Sequence, residues 1–209
     1  MNDIRPENGP PPSRRRTQKE RREETRARLL DATIQVILRH GYAGMSTALV
    51  DAEAGVSSGA RNYHFPTKLE LVAEATRNAY DHALELGRRR AEQALTSAYP
   101  LNDLLDDLKS IYFDWPYLVA QDVVIAARTD SALMDKVAPI LGTYHEALRK
   151  TWTELFVTRG LSQDDAETVF DLALNLIRGM GINRVWRQDK DHQALLIAQW
   201  AERYHPLFQ

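Results

Sequence analysis

Apolar residues in the first third of the chain recur at helical intervals. Ala27, Leu30, Ile34, Ile37 and Leu38 are three or four apart, which puts them on one face of a helix starting near Thr25. Gly41 is placed to stop that helix, with Tyr42 as the apolar residue beyond the stop. Thr47 is expected to cap a second helix over 48–54, and Gly55 breaks it. Ser57 caps a third, very short helix over 58–64, which Phe65-Pro66 ends. Thr67 then caps a long helix from Lys68, with Leu69, Val72, Ala75 and Ala79 along one face. Further helices are expected near 101–113, 117–128, 131–158, 163–187 and 190–204, separated by Pro100, Pro116, Gly160-Leu-Ser and Gln188-Asp-Lys. Pro139 should kink or restart the helix that contains it. No stretch alternates with period two for long, so the expected fold class is all-α, with neither sheet nor internal repeat.

Composition narrows the class. With 209 residues, 44% of them hydrophobic, the chain suits one large domain or a small one joined to a larger one. It has no Cys, which excludes a disulfide framework and a thiolate metal site. No apolar run nears the roughly 20 residues of a membrane span. The Pro- and Arg-rich start is unlike a secretory signal. A cytoplasmic protein without a membrane partner is expected. The net charge of −2 hides an asymmetry: residues 1–68 hold 12 Lys/Arg against 8 Asp/Glu, and residues 69–209 hold 15 against 21. A basic end on an acidic body implies either a polyanion partner at that end or a solvated tail with stray charge. Three parts follow: a disordered basic arm over 1–20, a small helical domain over 21–67 and a larger helical domain over 68–209.

The stretch "AGVSSGARNYHFPTK", Ala54 to Lys68, carries the chemistry. Two short helices joined by a Gly-containing turn form a helix-turn-helix, whose second helix fits a DNA major groove. Gly55 supplies the positive φ of the turn, and Val56 plugs the gap between the helices. Ser57, Ser58 and Gly59 leave the start of the third helix bare, so its free amides can meet phosphate. Asn62, Tyr63 and His64 sit on its last turn, where polar tips reach bases or phosphates. Thr47 and Lys68 open the flanking helices toward the same backbone.

The run "TRARLLDATIQVILRHGYAGMST…AGVSSGARNYHFPTKLELVAEA" resembles the DNA-binding domain of the tetracycline-repressor (TetR) family over about residues 24–76. The resemblance implies an N-terminal three-helix helix-turn-helix domain and a larger helical ligand-binding and dimerisation domain. It implies a homodimeric one-component regulator, more often a repressor, that binds a palindromic double-stranded DNA operator and is released by a small-molecule effector. It places Thr47, Ser57, Ser58, Gly59, Ala60, Asn62, Tyr63, His64 and Lys68 at DNA-touching positions.

The chain departs from the family pattern at three positions. Asp51 stands for the usual Ala, Arg61 for Leu or Ile, and Asn62 for Tyr. Asn62 can read adenine bidentately where the family has a phosphate-contacting Tyr. Asp51 and Arg61 fall where the two short helices pack, so they either pair across the unit or separate, with Arg61 reaching outward to phosphate. Arg14, Arg15, Arg16 and Lys19 either enter a flanking minor groove or form a solubilising tail.

In the body, "VFDLALNLIRGMGINRVW" carries an apolar band too wide for a surface helix. With the last helix it could form a four-helix interface between two copies, through Phe170, Ile177, Gly181, Leu196 and Trp200, or simply be buried in one subunit. Tyr80, Tyr112, Trp115, Tyr117, Tyr144, Trp152 and Trp186 either fill the core or wall an effector pocket. The pocket candidates are Tyr112, Trp115, Tyr144 and Trp152 with the polar Gln121, Arg128, Asn175 and Arg178. Arg178, on an apolar helix, would meet an acidic ligand or pair with a buried carboxylate.

Catalysis finds no support. The six His residues form no His-Glu-x-x-His and no facing pair at metal spacing, and no Gly-rich phosphate loop is present. His145-Glu146 point to different helical faces. Asp106-Asp107 and Asp164-Asp165 read as solvated or helix-start charge. Neither cofactor nor metal is expected. The competing readings are a helical small-molecule-binding protein or enzyme with an incidental basic end, and an architectural DNA binder without an effector.

Overall fold

The computed structural model describes residues 17–187 and 189–208. They form α1 (Gln18–Gly44), α2 (Thr47–Ala54), α3 (Ser58–His64), α4 (Lys68–Ala94), α5 (Pro100–Tyr112), α6 (Trp115–Ala127), α7 (Ser131–Thr158), α8 (Gln163–Asn183) and α9 (Lys190–Tyr204), and one 3₁₀ turn, His205–Phe208. No strand occurs among the described residues, so the fold is all-α.

Local chemistry sets the helix ends, and it moves several boundaries. α1 begins at Gln18, not near Thr25, because Thr17 and Glu20 form a capping box: the Thr17 hydroxyl accepts from the Glu20 N–H at 3.1 Å and the Glu20 carboxylate from the Thr17 N–H at 2.7 Å. Residues 17–20, expected within a disordered arm, are thus the helix start, with Lys19 on its first turn. Arg14–Arg16 lie outside the described residues. The buried face of α1 is Leu29, Leu30, Ile34, Val36 and Ile37, whereas Ala27 and Leu38 face solvent. Gly41 kinks α1 instead of stopping it: with φ 69° and ψ 165° it takes a conformation open almost only to glycine, and the helix resumes to Gly44. Ser46, not Thr47, caps α2, accepting from the Leu49 N–H. Gly55 adopts the left-handed conformation expected of the turn, at φ 63°. Ser57 caps α3, and a second capping box, Thr67 with Glu70, starts α4. α7 continues through Pro139, whose ring is on the solvent side, where water can take the carbonyl left unbonded. α8 ends at Asn183, four residues before the expected end.

Packing divides into two apolar clusters that share α4. The first joins α1, α2 and Phe65 after α3 to Leu71, Val72, Ala75 and Ala79 of α4. It is closed by Val119, Val123 and Ala127 of α6 and by Leu133 and Val137 of α7. The helix-turn-helix unit therefore rests directly on the body. The second cluster joins the distal half of α4, from Tyr80, to α5, α7 and α8.

Asp107 lies inside this second cluster, 1% exposed, and so is not the solvated charge its sequence position suggested. Its carboxylate accepts from Arg90 at 2.8 Å and from the Trp152 indole N–H at 2.9 Å. Burial pushes its pKa up, against the opposing effect of these two hydrogen bonds.

Gly181 shows how closely α8 meets the C-terminal end of α5. A Cβ there would lie 2.2 Å from the Tyr112 carbonyl oxygen, a backbone atom that cannot rotate away. Gly181→Ala should therefore destabilise the fold by about 2 kcal/mol or more. Chemical denaturation checks this; an unchanged midpoint would contradict the packing.

Candidate nucleic-acid interface and ligand cavity

The turn between α2 and α3 is fixed from both sides. The Val56 N–H bonds to the Asp51 carbonyl at 3.0 Å, closing the turn around Gly55. Arg61 Nε donates to Asp51 Oδ1 at 2.8 Å. Both residues are buried, at 7% and 9% exposure. Asp51 and Arg61 thus form one buried ion pair across the unit. Arg61 Nη1 also donates to Asn62 Oδ1 at 2.7 Å and to the Phe65 carbonyl at 3.4 Å. The guanidinium therefore holds the side chain that opens the last turn of α3. The Asn62 amide nitrogen remains free to donate, and its oxygen keeps a second lone pair.

The outer edge of α3 is open. Ser57, Ser58, Gly59 and Asn62 are exposed, Tyr63 is 64% exposed, and Ala60 and His64 are half-buried. The Arg22 guanidinium stands 5.3 Å from the Tyr63 ring centroid, so the first turns of α1 bring positive charge beside the tip. Burial lowers the His64 pKa first, and the nearby Arg22 and Arg26 lower it further. The imidazole is neutral near pH 7 and can donate one hydrogen bond. Thr47 is half-buried as the first residue of α2. Lys68 is placed differently from a free phosphate contact. Its ammonium donates to the carbonyls of Met45 at 2.7 Å and Tyr42 at 3.3 Å and sits over the Tyr42 ring. Burial pushes its pKa down. One N–H remains for another acceptor.

Tyr42 is also held from the body: its backbone N–H donates to Asp122 Oδ2 of α6. A Cβ on Gly41 would stand 3.2 Å from the same oxygen, so both φ and the approach of Asp122 favour glycine at the kink.

The residue preceding Asp122 faces a cavity. A space of about 320 Å³ lies among α4, α5, α6, α7 and α8, walled by Tyr80, Tyr112, Tyr117, Gln121, Tyr144, His145 and Arg178 together with Ala120, Val124, Leu141 and Gly142. Gln121 Nε2 donates to the Tyr117 hydroxyl at 2.7 Å. Two edge-on ring pairs, Tyr80 with Tyr144 and Tyr112 with Tyr117, line it. Of the pocket residues expected from sequence, Tyr112, Gln121, Tyr144 and Arg178 meet here. The others are elsewhere. Trp115 packs on the first cluster. Trp152 is wholly buried against Asp107. Arg128 is exposed at the end of α6. Asn175 is exposed and bonds to the Asp171 carbonyl of its own helix. Tyr80 and Tyr117 were visible in the aromatic cluster. His145 lacked any signal beyond its neighbour Tyr144. A wider groove of about 570 Å³ between α5 and α9 is open to solvent, and its Lys109 and Arg184 already have Asp106 and Gln193 as partners.

The residues expected at a dimer interface also divide. Phe170, Ile177 and Gly181 face the subunit's own core. Leu196 and Trp200 are half-buried against it. The apolar residues left facing outward are Leu172 and Ile182 of α8, Val185 and Trp186 just after it, and Leu195 of α9. Among the described residues no group of three or more His, Asp or Glu could hold a metal ion, and no helix is long and apolar enough to cross a membrane.

Residues 29–75 match the profile of bacterial regulatory proteins of the tetR family. The HTH-type transcriptional regulator CymR of Pseudomonas putida is 35% identical over 178 residues, covering 85% of this chain and 88% of CymR. The chain belongs to the tetR family. The uncharacterized HTH-type transcriptional regulator Rv2912c of Mycobacterium tuberculosis is 31% identical over 169 residues, covering 81% of this chain and 87% of its own. The crystal structure of a transcriptional regulator from Rhodococcus sp. Rha1 shares the fold, with a TM-score of 0.70 at 23% identity over 88% of this chain and 98% of that one. The protein, a TetR-family transcriptional regulator, holds its helix-turn-helix together with a buried ion pair.

Asp51→Ala should cost about 3 kcal/mol, because it leaves a buried guanidinium without its carboxylate. Adding Arg61→Leu should recover most of that loss. Urea unfolding of the two variants checks this; a single variant as stable as the native protein would show that the pair contributes nothing.

Proposed function

We propose that the protein is a homodimeric repressor acting in the cytoplasm, which binds a palindromic operator through α3 and is released when a small molecule enters the cavity. The observation that carries this reading is the open edge of α3. Ser57, Ser58, Gly59, Asn62 and Tyr63 face outward as a contiguous polar tip, while Arg61 anchors the helix from behind. A side chain held by its neighbour, as Asn62 is, loses less freedom when it meets a base edge.

Dimerisation suits this tip, because one seven-residue helix offers little contact and two, about 34 Å apart, reach successive major grooves. The outward stripe of Leu172, Ile182 and Trp186, joined by Leu195, supports an isologous contact between copies. Phe170, Ile177 and Gly181 would support it from beneath. Release is a population shift in which the ligand favours a form whose tips no longer match the groove spacing. α6 is suited to transmit it, since Gln121 lines the cavity and Asp122 holds the Tyr42 backbone.

Selection of bound sequences from random duplex DNA, followed by fluorescence anisotropy, tests the proposal. The native dimer should bind a two-fold symmetric site with half-sites about 10 bp apart or a multiple of that, and affinity should fall steeply with salt. Asn62→Ala and Tyr63→Ala should each weaken that site by about tenfold or more. Absence of an enriched site, or variants that bind it like the native protein, would contradict the reading.

A further inference from the structure

The cavity identifies its ligand by charge. We propose that it takes a small organic carboxylate with an aromatic or other apolar body, and that Arg178 binds the carboxylate. This rests on the reading of the cavity as the effector site.

Arg178 lines the cavity without an ion pair or side-chain hydrogen bond among the described residues; its guanidinium only overlies the Tyr112 ring, at 5.9 Å. The acids around it are engaged elsewhere. Asp107 is taken by Arg90 and Trp152, and Asp171 and Glu167 are both taken by Arg149. Asp122 holds the Tyr42 backbone. No Asp or Glu lines the cavity. His145, on the same wall, has its pKa lowered by burial and then by Arg178, so the imidazole is neutral near pH 7. One guanidinium thus sets the sign of the space. Such a partly buried cation is favoured by an anion and disfavours a second cation.

The remaining wall describes the rest of the ligand. Tyr rings and Ala120, Val124 and Leu141 offer apolar surface, and Gly142 leaves open space where a side chain would stand. Rings alone would suit a quaternary ammonium, whose charge their faces attract. Arg178 reverses that preference. The Tyr144 hydroxyl, also on the wall, is buried and has no hydrogen-bond partner. An unmet buried donor is costly, and an acceptor oxygen on the ligand would satisfy it. Burial pushes the Tyr144 pKa upward, so the hydroxyl keeps its proton to donate. A carboxylate has two oxygens: a bidentate contact with the guanidinium leaves lone pairs for that hydroxyl.

Isothermal titration of the full-length, DNA-free protein with matched probes tests the assignment. The probes are benzoate and 2-naphthoate, their neutral amides, and benzyltrimethylammonium. The carboxylates should bind about tenfold or more tighter than the amides, the loss expected when a charged hydrogen bond is removed, and the ammonium should not bind. Arg178→Gln should erase the advantage of the carboxylates, and Arg178→Lys should keep part of it. Tyr144→Phe removes one oxygen from a buried ring and should weaken carboxylate binding severalfold even if the Arg178 variants fail to fold. The assignment is overturned if the amides or the ammonium bind as tightly as the acids, if no carboxylate binds at millimolar concentration, or if Arg178→Gln or Tyr144→Phe folds and binds carboxylates like the native protein. Operator release is measured separately. Carboxylates that bind but leave DNA bound would sink the release reading alone; release by the amides or the ammonium alone would sink the carboxylate assignment alone.

Discussion

The backbone of Tyr42 joins the DNA-facing helices to the body. Its N–H is held by Asp122 of α6, and its carbonyl and that of Met45 are held by Lys68 of α4. Gly41, at a φ that side-chain-bearing residues avoid, turns α1 so that both contacts can form. Asp122 and Lys68, together with the Arg26–Glu74 ion pair between α1 and α4, thus tie α1 to the body. The apolar cluster shared by α1, α4, α6 and α7 supplies the packing around them. Apolar packing is non-directional, whereas a carboxylate on one N–H and an ammonium on two carbonyls specify an angle. The proposed match of two tips to a groove spacing depends on that angle.

Two buried ion pairs among the described residues follow one rule. Asp51 pairs with Arg61 inside the helix-turn-helix, and Asp107 of α5 with Arg90 of α4. Each pair removes the penalty of a lone charge away from water. Arg178 has no ion pair among the described residues, and it stands where the helices leave a cavity. The same physics that makes the other pairs structural underlies the role proposed for this cation in recognition.

The helix-turn-helix was legible in the sequence because its boundaries are local. Gly55, Ser57 and Thr67 act on their own backbone or on amides three residues away, and no tertiary contact is needed to read them. The start of α1 was missed because the Thr17–Glu20 capping box adjoins a run of Pro and Arg. Thr47 and Ser46 are both able to cap, and sequence alone does not rank them. In the body, composition showed that α8 is buried but not by what. Phe170 and Ile177 turn inward and Leu172 outward, a difference of helix rotation that only packing settles. The cavity was half legible for the same reason. Tyr112, Tyr144, Gln121 and Arg178 converge, while Trp152 turns to Asp107, a partner 45 residues away. The Asp51–Arg61 pair could be anticipated because both departures fall on one packed surface.

Asp122→Ala removes the acceptor that links α6 to the Tyr42 backbone and so tests whether the cavity is coupled to the tip. Operator affinity is measured for the native and variant proteins with and without an anion that releases the native protein from DNA. The anion should weaken operator binding by about tenfold or more in the native protein. In the variant the weakening should be much smaller, although the variant still takes up the anion with native affinity in the absence of DNA. Equal weakening in both proteins would show that the signal does not pass through the contact between α6 and Tyr42.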